Sequence, residues 1–214
     1  MAIQADNIFG TFSGRVGRVV GVTWRGMAVL RMAPEKSSKK PSPAQVLQRA
    51  KFSAAMGFLN PIKPFLAKRF GKMEGAKAPF DLALSYHLRE AIRVEGNNLQ
   101  IIYPKVCISK GHLRGVEGAS AVVEPNNELT VEWTDNCAQS FANPDDLLTI
   151  VLYAPSSSEF YFFENIAQRQ DTSVQLPLPD KAVGVTVYCW ATFITFTGEF
   201  AATSCYIPVE NPHL

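Results

Sequence analysis

The four cysteines and three histidines are the residues of this sequence whose types suit metal binding or nucleophilic catalysis. Metal sites often space such residues as Cys-x-x-Cys, His-x-x-x-His or His-Glu-x-x-His, and none of these spacings occurs here. The sequence also lacks the Gly-x-Ser-x-Gly of serine hydrolases and the glycine loops that bind phosphate. We therefore expect no metal, no cofactor and no catalytic residue, and we predict that the protein is not an enzyme.

A disulfide between Cys189 and Cys205 is one of two readings of the C-terminal cysteines. Both lie on the last two predicted strands, and a hairpin centred near Thr197 would place them opposite each other. The alternative is a pair of buried free thiols. The first residues lack the basic and apolar regions of a signal peptide, which favours free thiols and a cytoplasmic or virion-associated protein.

Charge is divided unevenly along the chain, although the formal total is only +2. Residues 1–78 contain 14 Lys and Arg against 3 Asp and Glu, a net of +11, and residues 79–214 contain 7 against 16, a net of −9. The basic part is expected to bind nucleic acid or an anionic surface, to dock on the acidic part of the same chain, or to dock on a neighbouring copy.

Aromatic side chains lie between the cations of the basic N-terminal segment. That pattern is typical of single-stranded nucleic-acid binding, where rings stack on bases and cations contact phosphates. The alternative is a hairpin that Trp24, Val20 and Val29 anchor on a core, with arginines on its solvent face. The segment contains Phe9, Phe12, Arg15, Arg18, Trp24, Arg25, Arg31, Lys36, Lys39 and Lys40.

The N-terminal region is predicted to contain two strands followed by three helices. The two strands are Arg15–Trp24 and Met27–Met32. The dipeptide Arg25-Gly26 suits a tight hairpin turn, whereas Gly14, Gly17 and Gly21 predict either bulges in the first strand or places where another backbone comes close. After a polar connector, Ser42, Pro43 and Gln45 predict a capped helix that runs to residue 59 with a long apolar stripe to bury. Further helices are predicted at 62–70 and 80–94.

From about residue 99 the hydrophobic period changes to two, which predicts seven or eight short strands. These are expected at 99–108, 119–123, 129–133, 147–153, 160–163, 173–178, 183–195 and 201–209. In the strand at 183–195 the alternation sends Tyr188 and Trp190 away from the sandwich core. Such rings mark an interface, unless the N-terminal helices cover that face.

The predicted fold class is therefore α+β: an N-terminal β-hairpin and about three helices followed by an antiparallel immunoglobulin-like β-sandwich. We place the basic hairpin, linker and helical region at residues 1–98 and the sandwich at 99–214. No apolar run approaches the roughly 20 residues that cross a bilayer.

The C-terminal part resembles a fibronectin type III sandwich over roughly residues 103–210. Residues 129–133, LTVEW, are similar to its second strand, and residues 185–191, VTVYCWA, are similar to its sixth. The position where that family places a corner tyrosine is Val185, so the resemblance implies a sandwich more firmly than a particular strand order.

The N-terminal half resembles an uncharacterised family of Bacteroidota proteins. The resemblance rests on Gly14-Arg-Val-Gly17, Trp24-Arg-Gly26, Lys39-Lys-Pro41 and Gln48-Arg49, and it continues in Tyr103-Pro-Lys-Val. It implies no activity and no catalytic residue. The glycine-rich basic segment before a helix opening in Gln-x-x-Gln-Arg is also loosely similar to bacteriophage structural proteins, which implies assembly.

We predict a non-enzymatic structural or assembly protein that self-associates or docks on a protein partner through its N-terminal segment and sandwich edges. A nucleic-acid-binding protein is one alternative, and a ligand- or glycan-binding sandwich using Tyr153, Tyr161 and Trp190 is another. Other copies of the chain are the expected partners, in a homo-oligomer. The candidate interaction residues are Arg15, Gly17, Arg18, Gly21, Trp24, Arg25, Gly26, Arg31, Lys39, Lys40, Arg49, Tyr188 and Trp190.

Overall fold

The computed structural model describes residues 2–3, 13–35, 39–96 and 98–212. Contacts along the chain divide it into two units, Met1–Val46 and Leu47–Leu214, which we call the N-terminal unit and the sandwich unit. The division predicted at residue 98/99 follows the change in hydrophobic period, a different criterion, and it stays a prediction.

The N-terminal unit is a four-stranded antiparallel sheet in the order β1-β4-β3-β2. Arg25 (φ 50°) and Gly26 (φ 79°) form the tight turn between β3 and β4, as predicted. The single strand predicted at 15–24 is wrong, because the chain turns at Gly17 (φ 58°) and divides into two strands rather than bulging. The strands are β1 Ala2–Ile3, β2 Gly14–Val16, β3 Val19–Trp24 and β4 Met27–Met32.

Three helices follow: α1 Pro43–Leu59, α2 Lys63–Arg69 and α3 Pro79–Glu90. The predicted cap of α1 is confirmed, since the Gln45 amide donates to Ser42 Oγ at 3.3 Å and the Ser42 amide donates to Gln45 Oε1 at 3.0 Å. In the part of the chain that the structure describes, no helix is both long and apolar enough to cross a membrane.

The third helix ends four residues earlier than predicted. The Ala91 amide makes the last helical bond, to His87 O, and Ala91 O then accepts from the Ile102 amide. Residues 92–101 therefore form a hairpin, with Gly96 (φ 61°) in its turn. Its strands are β5 Ile92–Glu95 and β6 Asn98–Ile101, so the strand predicted at 99–108 is shorter and lies outside the sandwich.

Eight strands form the predicted sandwich, in two sheets of order β10-β9-β12-β13 and β11-β8-β7-β14. All pairs are antiparallel except β14 with β7, which is parallel. The α+β fold class is thereby confirmed. The strands are β7 Ser120–Val123, β8 Glu128–Glu132, β9 Leu147–Ala154, β10 Glu159–Gln168, β11 Ser173–Pro177, β12 Tyr188–Ile194, β13 Cys205–Ile207 and β14 Val209–Glu210.

Alternation along β9 serves two hydrophobic cores at once. Leu148, Ile150 and Leu152 point into the sandwich, whereas Val151 and Tyr153 point to the other side. There they join a second core with helix and loop residues of the sandwich unit, such as Phe58, Leu59, Leu66 and Phe70. Burial of each such side chain contributes about 1.5–3 kcal/mol, so this second core fixes the helices to the sheet.

The apolar stripe of α1 is buried over its last turns only. Ala55, Phe58 and Leu59 are buried, but Leu47 is 41% exposed and Phe52 is 48% exposed. The expectation that the whole stripe is buried is therefore wrong, because contact with the second core begins only at the C-terminal end of the helix. The first turns leave apolar side chains in solvent.

Candidate interaction surface

One face of the N-terminal sheet combines arginine with apolar side chains. Arg15 on β2 lies opposite Val20 on β3, and Val20 lies opposite Arg31 on β4, so the three form one cross-strand row. Because side chains alternate along a strand, Trp24 of β3 and Met27 of β4 lie on the same face. Between these two rows, on the same face, lies the pair of Val22 and Val29, and Val29 is only 2% exposed, so the middle of the face is buried as the anchored-hairpin alternative expects. We call the two flanking rows, Arg15, Val20, Arg31, Trp24 and Met27, the basic face.

The indole of Trp24 is half exposed, at 48%, and it carries a cation. The Arg25 guanidinium carbon lies 4.9 Å from the centre of the Trp24 ring. A guanidinium at this distance from an exposed ring contributes about 0.5–1 kcal/mol. The tight turn thus presents an aromatic ring and a positive charge at the end of the sheet.

Carboxylates are scarce in this unit. Within its described residues, six cations accompany only Glu35, which pairs with Arg18 at 3.1 Å on the surface. Arg15 Nε donates to Gly17 O at 2.9 Å, a bond that leaves the charge uncompensated. For Arg15 and Arg31 the described part of the chain offers no carboxylate within ion-pair distance. The basic face is consequently suited to a negatively charged partner.

The opposite face of the same sheet is apolar and exposed. Val16, Val19 and Met32 form its cross-strand row, in which Val16 is 65% exposed and Met32 is 64% exposed. Strand β2 is also an edge, so one side of its backbone lacks a strand partner within the described sheet. Exposed edges with apolar side chains readily pair with another chain.

The other candidate residues of the N-terminal region occupy several places. Gly17 and Gly26 lie in turns, Gly21 is buried within β3, and Lys39 and Lys40 are exposed before α1. Arg49 is exposed on α1. Three members of the basic segment, Phe9, Phe12 and Lys36, lie outside the described residues.

The two outward aromatic residues of β12 are covered by the helical layer. Trp190 is fully buried and donates its Nε1–H to Tyr103 O at 3.3 Å, and Tyr188 stacks on the Tyr103 ring at 3.7 Å. Of the two alternatives for this face, the helices therefore cover it. Tyr153 is also buried, while Tyr161 donates to Glu159 Oε2 at 2.7 Å, so these aromatic residues form no open binding cluster.

The outer face of the sheet β11-β8-β7-β14 is acidic. Leu129 and Val131 fill the core, and the alternation directs Glu128 and Glu132 outward. Glu210 on β14 lies in register with Val122 of β7 on the same side. None of the four strands contains Lys or Arg. We call the surface of Glu128, Glu132 and Glu210 the acidic face.

A buried histidine and cysteine, which the sequence reasoning did not combine, meet beneath the helices. The Cys107 amide donates to His87 Nε2 at 3.3 Å, so Nδ1 carries the proton and donates to Ala83 O at 2.8 Å. Burial lowers the pKa of His87 and raises the pKa of the Cys107 thiol. Both groups are therefore held neutral, which suits packing rather than nucleophilic attack.

Strands β12 and β13 do not place their cysteines opposite each other. Cys189 lies opposite Ile207, and Cys205 lies opposite Ala191. Both thiols are free, and burial raises the pKa of each. The register expected from a turn centred near Thr197 is wrong by two residues. Ile194 pairs with Ala201, a shift of one residue at the turn, and the pairing of Ala191 with Cys205 shows one extra residue between Ala201 and Cys205.

Comparison with known proteins gives a family whose function is unknown. A family model described as "Family of unknown function (DUF6266)" matches residues 11–208. The chain matches no curated protein. Among solved structures, the fibronectin type III domain of the human collagen alpha-1(XX) chain is similar, with 17% identity over 47% of this chain and 88% of that chain and a TM-score of 0.31. The likenesses to Bacteroidota and bacteriophage proteins stay predictions.

Proposed function

Since the chain belongs to the family of unknown function DUF6266, we propose its function from its surfaces: it is a non-enzymatic structural protein that self-associates. In this proposal the basic face of one copy docks on the acidic face of the next. The contact is heterologous, because the two faces differ, so it generates rings or filaments rather than only dimers.

The observation that carries the proposal is the separation of opposite charges onto two built sheet faces. Arg15 and Arg31 flank Val20 on the basic face, and Glu128 and Glu132 flank Thr130 on the acidic face. Complementary charge raises the rate of encounter and fixes orientation. The apolar side chains between the charges then supply contact area that excludes water.

Two further features support association with a protein partner. Strand β2 is a sheet edge with the exposed Val16, which suits pairing with a strand of another chain. The first turns of α1 expose Leu47 and Phe52, which suits an apolar contact. Both features would be costly in a chain that stays alone in solution.

Light scattering behind size exclusion tests the proposal on protein freed of nucleic acid. We expect multimers that grow with protein concentration and weaken at high salt. The pairs R15E with R31E and E128K with E132K should each give monomers, and all four changes together should restore multimers by reversing both faces.

The matched control changes two exposed cations of the sandwich unit. R93E with K105E alters the net charge as much as R15E with R31E does, and it should leave the multimers intact. Circular dichroism establishes that every variant is folded. A wild type that is monomeric at all protein and salt concentrations would refute self-association. If the variant with all four changes stays monomeric, the pairing of the basic face with the acidic face is refuted.

Single-stranded nucleic acid is the second candidate, favoured by the Arg25–Trp24 contact on the same sheet face as Arg15 and Arg31. Fluorescence anisotropy with a labelled oligonucleotide tests it. Under this candidate W24A weakens binding, log K falls steeply with log salt, and E128K with E132K has no weakening effect. If R15E with R31E loses the multimers and the wild type binds no oligonucleotide, the nucleic-acid candidate is eliminated.

A further inference from the structure

A cleft of about 760 Å³ opens within the sandwich unit between the loop at 71–77, α3 and the segment at 110–112. Ligand sites of small molecules typically enclose about 300–1,000 Å³. Tyr86 contributes aromatic surface to the cleft, and Leu82 and Met73 contribute aliphatic surface, whereas Phe70 lies behind the lining and is only 2% exposed. The cleft is thus large enough for a small molecule and has an apolar part against which one can pack.

Four cationic residues from three separate segments line this cleft. Lys72 and Lys77 come from the loop, Arg89 from α3 and Lys110 from the third segment, whereas Glu74 is the one carboxylate among the lining residues. Within the described chain, none of the four cations lies within ion-pair distance of a carboxylate. The positive charge is accordingly available to a ligand.

An adjoining cavity of about 130 Å³ extends the positive surface. It shares Lys72 and Lys110 with the cleft and adds Lys68 and Arg69. The Lys72 ammonium lies 4.9 Å from the centre of the Phe200 ring, which orients the ammonium without neutralising it. Glu199 is the one carboxylate that lines this second cavity, so cations outnumber carboxylates in both.

The backbone that carries these cations is held by hydrogen bonds. The Lys110 amide donates to Arg69 O at 2.9 Å, and the Gly71 amide donates to Lys110 O at 2.7 Å. At Gly111 a Cβ would overlap the Ala201 carbonyl oxygen, so three chain segments approach each other as closely as backbone allows. A site on such a framework is preorganised, which reduces the entropy lost on binding.

We propose that this cleft binds a small molecule that carries a polyphosphate group and a ring, of which a nucleoside diphosphate is the simplest example. Several lysines and an arginine are the side chains that bind phosphate oxygens. The aromatic and aliphatic side chains at the same cleft suit the ring. The proposal uses neither the basic face nor the acidic face, and it stands independently of self-association.

Isothermal titration calorimetry at low salt tests this site with ADP, pyrophosphate and adenosine. We expect ADP to bind more tightly than pyrophosphate and adenosine not to bind. K72E with K110E should weaken ADP at least tenfold, and the milder K72Q with K110Q should weaken it less. Backbone amide shifts of Gly71 and Gly111 should move when ADP is added.

The control R93E with K105E changes the net charge by as much as K72E with K110E does, and it should leave the affinity for ADP unchanged. No ADP binding at millimolar concentration, or binding that K72E with K110E does not weaken, would overturn the site. Equal affinities for pyrophosphate and ADP would overturn the assignment of a ring-bearing ligand. Since the assembly variants alter none of the lining residues, failure here and failure of self-association are separate results.

Discussion

The buried Arg169 is a side chain whose loss should destabilise this fold strongly. Its Nη2 and Nε donate to Asp146 Oδ2 at 3.0 and 3.2 Å, its Nη1 donates to Asn136 Oδ1 at 2.6 Å, and its Nη2 also donates to Arg114 O at 2.9 Å. The guanidinium carbon lies 3.9 Å from the centre of the Phe193 ring. One cation thus joins the loops at the end of the sandwich to its core.

The expected loss of stability follows from the buried carboxylate that a neutral side chain at position 169 would leave unpaired. In R169M the Asp146 carboxylate, 1% exposed, keeps only the Asn143 amide as a donor. Removing one partner of a buried ion pair costs about 3–5 kcal/mol. In a unit of this size about 1 kcal/mol shifts Tm by roughly 2–4 °C, so we expect a loss of roughly 6–20 °C.

Urea denaturation followed by circular dichroism measures this loss, with R93M as the matched control. Arg93 pairs with Glu95 at 3.6 Å on the surface, and exposed pairs contribute less than about 1 kcal/mol. The double variant R169M with D146N removes the buried, unpaired carboxylate of Asp146 and should therefore be more stable than R169M alone. A free energy of unfolding for R169M within about 1 kcal/mol of the wild-type value would contradict a stabilising role for this buried ion pair.

Three further predictions concern packing and pH. Gly111→Ala should destabilise the protein by about 1–3 kcal/mol, because its Cβ would overlap the Ala201 carbonyl oxygen. Gly57→Ala, inside α1 with no atom within 4 Å of the new Cβ, should stabilise it by about 0.5–1 kcal/mol. Burial lowers the pKa of His87 from 6.5, so the unfolded chain binds its proton first. The free energy of unfolding should therefore fall as the pH drops from 6.5 toward the lowered pKa of the folded state, and it should fall less steeply in His87→Gln. Thermal scans measure the stability of the two glycine variants. Urea titrations at several pH values measure the histidine effect.

Local signals in the sequence predicted the elements whose cause is local. The Ser42–Gln45 cap and the Arg25-Gly26 turn each depend on residues within one turn of chain, and both are present. The sandwich strands were predicted because alternation reports burial on one face directly. For β12 the same alternation placed Cys189, Ala191 and Phe193 inward, where they are buried.

Features that depend on distant segments were not predictable in this way. The helical period of α3 continues through Val94, but the pairing of β5 with β6 ends the helix at Glu90. Arg169 meets Asp146 across 23 residues and Asn136 across 33, and no pattern in the sequence joins them. The cation cleft likewise brings residues 70–89 together with 110–112, so no local pattern in the sequence predicts it.

The position of the helices decides which sheet surface is open to a partner. They bury Trp190 and Val151 and so cover the outer side of the sheet β10-β9-β12-β13. The outer side of the other sheet is where Glu128 and Glu132 lie, on strands without a single Lys or Arg. A partner that approaches a sheet face of the sandwich therefore meets carboxylates, and a positively charged sheet with apolar side chains between its arginines is a suitable complement.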